Sequence, residues 1–338
     1  TLAMEGMFYN IYEIGTVDLT NPWWASGYVN NNTFNDRMYM TVGDISLSMW
    51  KTLTCLYFNK KLAANYEIPD LYQIVRDGDW TLEQMENIAK GVSEDLDGDS
   101  AYTTEDLYGF VTGNFNVRAF VTSSDIPIAS RNDEDSFDFV YYGDRLVSLY
   151  DRMYDMFNNG NAIRLDENAS KMFQDGHTLL VTGNLGGTQS LREMDTDFGI
   201  IPYPKYDDSQ ENYITHAGDI LSVFAIPASV TEPKFCGAIM EAMGAESKST
   251  VIPAFYEISL KGKVTRDNES EEMIDIIRDT VLFDFGFVHS VPMGGIYQIF
   301  GDQLVAGTSN LASSYEKQAK AYNKKFEKVL EAYTKISG

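Results

Sequence analysis

The sequence predicts an α/β fold divided into two lobes, and three observations carry that expectation. At 338 residues the chain exceeds the size at which one hydrophobic core keeps growing, so two bodies are expected. Short apolar runs bounded by glycine, proline or asparagine alternate with longer segments of helical spacing, which is how α/β folds are built. No internal repeat or low-complexity tract breaks the alternation.

The elements follow in order. Residues 53–58, ending at Asn59, form a short apolar run that reads as a buried strand. Thr81 is a good helix N-cap, because its hydroxyl accepts from an amide one turn on. Leu82, Met85, Ile88 and Ala89 then mark an apolar stripe. Residues 108–111 are strand-like, and residues 179–183 and 198–201 read as parallel-type core strands. Residues 233–243 and 273–281 have helical spacing. Residues 315–333 form a long lysine-rich helix with Tyr322, Phe326, Val329 and Leu330 as its inner stripe.

Composition narrows the function. With 44% hydrophobic and 22% charged residues the chain is ordinary globular material, and no run of 18 apolar residues marks a membrane span. No basic stretch followed by an apolar one opens the chain, so no signal peptide is visible. A net charge of −24 repels phosphate backbones, which excludes nucleic acid as a partner and disfavours anionic ligands. Cys55 and Cys236 sit in apolar contexts far apart in sequence, and buried free thiols are expected.

Three segments give the chain a family resemblance. They are Leu56-Tyr57-Phe58-Asn59-Lys60-Lys61-Leu62 with Gly78-Asp79-Trp80-Thr81-Leu82; Phe173-Gln174-Asp175-Gly176-His177 running on to Gly183; and Asp197-Phe198-Gly199-Ile200-Ile201-Pro202 with Phe224-Ala225-Ile226-Pro227. In this order they resemble the extracellular solute-binding proteins of bacterial ABC importers, the maltose-binding-protein-like group that mostly serves carbohydrate uptake. The resemblance implies a type II periplasmic-binding-protein-like fold, each lobe a mostly parallel sheet flanked by helices, joined by a hinge. Lobe one would hold residues 1–54 and 217–265, and lobe two residues 55–216 and 266–338. The chain would cross between them near Thr54–Asn59, near residues 204–217 and around Arg266. Relatives begin with further strand–helix units and, in Gram-positive members, a lipid-anchored cysteine. A truncated product or fragment is therefore expected, with an incomplete first lobe whose face is uncovered.

Function would then be capture of a small solute, a sugar or oligosaccharide before a peptide, by hinge closure outside the cell. An ABC permease in the membrane would be the partner, the protein a monomer, and the full-length form a cell-surface lipoprotein. Capture of a sugar needs flat apolar faces for the ring and polar groups for its hydroxyls. In relatives the region of Trp50 lines the cleft from lobe one, and the loop of Asn114 and Phe115 presents an aromatic from lobe two. Asn184 lies in a loop where many relatives place a tryptophan; here none is present, which points to a smaller or more polar ligand. Tyr297, Asp219 beside His216 at the second crossing, and Glu5 complete the candidates. Trp23 and Trp24 are expected to pack, since adjacent residues point different ways.

A second constellation is Asp95, Asp97 and Asp99, with Asp106 eleven positions after Asp95. Oxygen ligands at positions one, three, five and twelve are what an EF-hand-like loop offers a structural calcium ion. Ser100 stands where the turn wants glycine, and Asp106 replaces the usual glutamate. No cofactor is otherwise required.

The rival classes are a secreted glycoside hydrolase and a ligand sensor on the same fold. The chain has no Gly-x-Ser-x-Gly elbow, and its three histidines (His177, His216 and His289) show no metal-ligand spacing. Carboxylates are so abundant that a catalytic pair can always be nominated, so their presence argues nothing. A non-enzyme is expected.

Overall fold

The structure, a computed structural model, describes residues 2–218, 220–256 and 268–336. Its strands among the described residues are β1 (Thr54–Asn59), β2 (Ser93–Glu94), β3 (Leu107–Thr112), β4 (Ala129–Arg131), β5 (Phe137–Phe139), β6 (Ile163–Leu165), β7 (Thr178–Asn184), β8 (Phe198–Ile201), β9 (Thr215–His216) and β10 (Val281–Leu282). The main sheet has the order β2-β3-β7-β1-β8, with β6 beside β3. Strand β3 runs parallel to β6 and β7, while β1 is antiparallel to both β7 and β8. Strands β3, β6, β7 and β8 therefore share one direction, and β1 is inserted against them. Both core strands expected to be parallel in type thus lie against an antiparallel neighbour. Their continuous apolar runs report burial on both faces, which a strand flanked by helices has whichever way its neighbour runs.

A second body forms around Ile11, Tyr28, Val42, Met49, Ala217, Ile226 and Met240. In place of a continuous ladder its described part holds isolated bridges, Phe8 to Pro227 and Thr41 to Phe224. The helix Ile11–Ile14 starts three residues after Phe8, which ends the first pairing. The helix Pro233–Ser249 turns Gly237, Met240 and Gly244 inward. Its opposite side exposes Phe235, Ile239 and Met243, spaced four apart.

Residues 52–54 and 216–217, two of the segments expected to cross between lobes, lie side by side. Thr54 Oγ1 donates to the His216 carbonyl at 3.2 Å, and Thr52 Oγ1 donates to the Ala217 carbonyl. The crossing expected around Arg266 lies outside the described residues. Thr81 caps the helix Leu82–Lys90 by accepting from the Gln84 amide, and the terminal helix spans Leu311–Lys335 with Tyr322, Phe326 and Val329 buried. Cys55 and Cys236 are both free thiols, and burial pushes the Cys55 thiol up to about 12.

Two buried ionisable groups flank the short helix Phe285–Val288. Asp284 caps its start, accepting from the amides of Phe287 at 2.8 Å and Ile128 at 2.6 Å, and burial raises its carboxyl to about 6. His289 follows its end, with Nδ1 donating to the Phe285 carbonyl at 2.8 Å and Nε2 accepting from the Tyr333 hydroxyl at 2.7 Å; burial lowers it to about 4. The two act in opposite senses. The His289 contribution is present above pH 6.5 and is lost as pH falls toward 4. The Asp284 contribution is present below its unfolded value near 4 and is lost as pH rises toward 6. Each amounts to roughly 3 kcal/mol across its window. In the wild type they offset one another between pH 4 and 6. His289→Gln removes one arm, so relative to the wild type its stability is expected to rise as pH falls from 6.5 to 4. Urea unfolding at both pH values checks this; parallel curves for the two proteins would show that His289 does not carry the linkage.

Candidate functional site

The site begins with a glycine. Residues 22–25 cross directly over residues 42–44, where the Asp44 amide donates to the Trp23 carbonyl at 2.7 Å and the Ala25 amide to the Val42 carbonyl at 3.0 Å. A Cβ at Gly43 would run into the Trp23 carbonyl oxygen and lie 2.9 Å from the Trp24 Cα, so only glycine permits the approach. The crossing brings Trp23, Trp24 and Asp44 together. The helix Leu47–Lys51 adds Trp50, the helix Pro233–Ser249 adds Lys248, the helix Asn268–Asp279 adds Arg278, and Phe283 joins from the second body's core.

These residues line a cavity of about 460 Å³. It continues past Asp44, Trp50, Lys248 and Arg278 into a second hollow of about 400 Å³ beside Ile252 and Tyr256. Trp50 Nε1 donates to Asp44 Oδ1 at 3.2 Å, and its ring meets that of Tyr256 edge-on at 6.5 Å. Asp44 is only 6% exposed, and this burial holds its carboxyl above the usual carboxylate range despite Lys248 Nζ at 3.7 Å. Arg278 lies 5.1 Å from the centre of the Tyr256 ring and pairs with Asp279 at 2.9 Å. Flat aromatic surface and hydrogen-bonding charge thus stand around one space.

The other sequence candidates are placed elsewhere. Phe115 is 70% exposed under the Arg118 guanidinium, and the Asn114 amide donates to Glu167; neither lines the tryptophan cavity. Asn184 turns its side chain onto the Gly187 amide at 3.0 Å, and its carbonyl accepts from the Tyr57 hydroxyl, so it shapes its own turn. Gly186 there lies 3.1 Å, by a Cβ's reach, from Lys51. Tyr297 is buried, stacked on His216 at 5.2 Å with its hydroxyl 3.3 Å from Nε2. Glu5 borders a separate hollow beside the terminal helix, with Lys328 and Lys335. Asp219 lies outside the described residues. Of the aromatic and polar candidates among the described residues, Trp50 alone borders the cavity. Trp23 and Trp24 pack as expected, Trp24 within the second body's core at 4% exposure and Trp23 against it, and both also border the cavity. Asp44 adjoins a glycine in sequence, a local signal that was available. Lys248 and Arg278 carry none.

In the acidic loop, carboxylate oxygens of Asp95, Asp97 and Asp99 come within 4.8 Å of one another, an arrangement able to hold a metal ion. Asp106 does not join them. It is fully buried, and its carboxylate accepts from the amides of Leu96 at 2.9 Å and Thr103 at 2.7 Å, so it braces the loop from inside. Those amide bonds, the Thr103 bond first, hold its carboxyl below the ordinary range. Ser100 adopts φ 68°, the left-handed turn that glycine fills in calcium loops.

No family model matches the chain, and no curated protein matches it. Solved structures do. The chain is similar to the maltose-maltodextrin binding protein of Alicyclobacillus acidocaldarius at 12% identity and a TM-score of 0.62, over 95% of this chain and 81% of that one. It is similar to the maltodextrin-binding domain MalE of Bdellovibrio bacteriovorus, bound to maltotriose, at 13% and 0.63 over 96% and 81%. UgpB of Mycobacterium tuberculosis, in complex with glycerophosphocholine, matches at 12% and 0.58 over 97% and 81%. At these identities the likeness establishes the fold: two lobes, α/β, of the periplasmic type II architecture.

Proposed function

We propose that this chain captures a sugar outside the cytoplasmic membrane and delivers it to an ABC-type permease. The lobes would be residues 1–54 with 217–265 and residues 55–216 with 266–338, closing about the paired crossings at Thr52, Thr54, His216 and Ala217. The observation that carries the reading is the cavity where Trp23, Trp24 and Trp50 stand around Asp44, Lys248 and Arg278. Indole faces suit the apolar faces of a pyranose, and the charged groups suit its hydroxyls. Structures of the same fold hold maltotriose, maltotetraose and tagatose, and one holds glycerophosphocholine, a balance that supports a sugar. Closure would be driven only by a ligand's preference for the closed form. No bond is made or broken in this scheme.

Calorimetric titration against mono- and oligosaccharides, with mass spectrometry of each ligand afterwards, tests the reading. The expected outcome is saturable binding with the sugar recovered unchanged, and a loss of about tenfold or more in Trp50→Ala, equivalent to about 1.4 kcal/mol. Cleaved sugar would make the protein a hydrolase. Wild-type affinity in a folded Trp50→Ala protein would move the site away from this cavity.

We further propose that Asp95, Asp97 and Asp99 hold a structural calcium ion. The Asp99 amide bond pulls the exposed Asp97 carboxyl down, but slight desolvation and the neighbouring carboxylates of Asp99, Asp106 and Asp95 together hold it above its ordinary range. A divalent cation would relieve that repulsion. Calcium added after chelation is expected to raise the melting temperature; no heat of binding and no shift would remove the ion from the account.

A further inference from the structure

We infer that Glu241 is the positioning residue of the tryptophan pocket: it sets the orientation of Trp23 and Trp24, so that ligands meet these two rings by stacking alone. The inference rests on the pocket being the solute site. Glu241 lies mid-way along the helix Pro233–Ser249 and does not itself border the cavity. Its Oε2 accepts from Trp23 Nε1 at 2.8 Å and its Oε1 from Trp24 Nε1 at 3.1 Å. The same carboxylate takes the Asp18 amide and the Asn21 side-chain amide, the latter at 3.3 Å. Four donors from residues 18–24 therefore converge on one half-buried side chain of another element.

Two consequences follow from the hydrogen-bonding capacity of the groups. An indole has one N–H and no acceptor, so a ring bonded to Glu241 has no polar group left for a ligand. Trp50 is held the same way by Asp44. Two carboxylates thus engage all three indole N–H groups, and the rings offer carbon surface only. Side-chain hydrogen bonds to a ligand's hydroxyls fall to Ser26, Asp44, Lys248, Arg278 and Asp279. The second consequence is geometric. Gly244, one turn beyond Glu241, leaves a gap that Trp23 fills, a Cβ there reaching 2.5 Å from the ring. The helix therefore fixes Trp23 by contact at Gly244 and by charge-assisted bonding at Glu241.

Glu241→Ala and Glu241→Gln separate this role from general packing. Glutamine keeps one acceptor oxygen but turns an NH₂ toward the remaining indole, so it retains one ring and releases the other. Near-ultraviolet circular dichroism and tryptophan emission read the rings without any ligand, and calorimetric titration with maltotriose reads the site. Expected are an altered indole spectrum and affinity about tenfold weaker in Glu241→Ala, with Glu241→Gln between it and the wild type. If Glu241→Ala does not fold, Glu241→Gln decides alone. Wild-type spectra in folded variants would overturn the orientation claim. An altered spectrum with unchanged maltotriose affinity would overturn the role in binding. A wild-type protein that binds no saccharide would instead sink the solute reading, while the spectra still decide whether Glu241 holds the rings.

Discussion

Replacing Gly43 with alanine is expected to lower stability by about 3 to 5 kcal/mol and to abolish measurable saccharide binding. The reasoning is steric before it is functional. The added methyl would overlap the Trp23 carbonyl and stand 2.9 Å from the Trp24 Cα, and both obstacles are backbone, which cannot swing aside as a side chain can. Overpacking of this kind costs about 1–3 kcal/mol. Relief requires residues 22–25 to lift from residues 42–44, which breaks the Asp44–Trp23 and Ala25–Val42 hydrogen bonds at about 1 kcal/mol each. Lifting also separates Trp24 from Asp44 and opens the cavity they share. Gly143→Ala is the control, since a Cβ there meets nothing within 4 Å. Urea unfolding and titration on both variants check the pair. A Gly43→Ala protein as stable as the control would show that the crossing tolerates a side chain, and the pocket's construction would need another account.

The secondary elements were legible because each announces itself locally. Thr81 followed by Leu82, Met85 and Ile88 is a cap and a stripe within eight residues, and the structure reproduces both. Strand direction was not legible, because residues 178–182 are buried on both faces whether β1 beside them runs parallel or antiparallel. The pocket was legible only at Trp50. Its other members come from residues 22–27, 44–53, 248 and 278–283, brought together by a glycine contact and a carboxylate that no spacing rule connects. Tyr297 shows the converse. The family resemblance nominated it as a cleft aromatic, yet it is 2% exposed, because His216 and Phe287 pack against it. Asp106 follows the same logic: the spacing matched a metal loop, while two backbone amides had a prior claim on its oxygens.

Replacing Gly218 with alanine is expected to uncouple ligand binding from closure. Gly218 has φ 79°, a conformation that costs an alanine about 1–2 kcal/mol. Its Cβ would also lie 2.6 Å from the Thr52 carbonyl oxygen and 2.8 Å from the Thr52 Cβ. Both penalties fall on the same few atoms that tie the two proposed crossings together, Thr52 to Ala217 and Thr54 to His216. The relaxation open to the variant is for residues 217–218 to draw away from Thr52. That lengthens one tie and leaves the cavity's rings, which depend on Glu241 and Gly43, in place. Affinity for a ligand equals its contact energy less the energy needed to populate the closed form, so a hinge that no longer closes in register weakens binding without touching a contact residue. Small-angle scattering with and without saturating ligand should show compaction in the wild type and a smaller change, or none, in Gly218→Ala. The indole spectrum should stay that of the wild type. Equal compaction in both proteins would place the bending elsewhere in the chain. A changed indole spectrum would mean that Gly218 acts on the pocket itself.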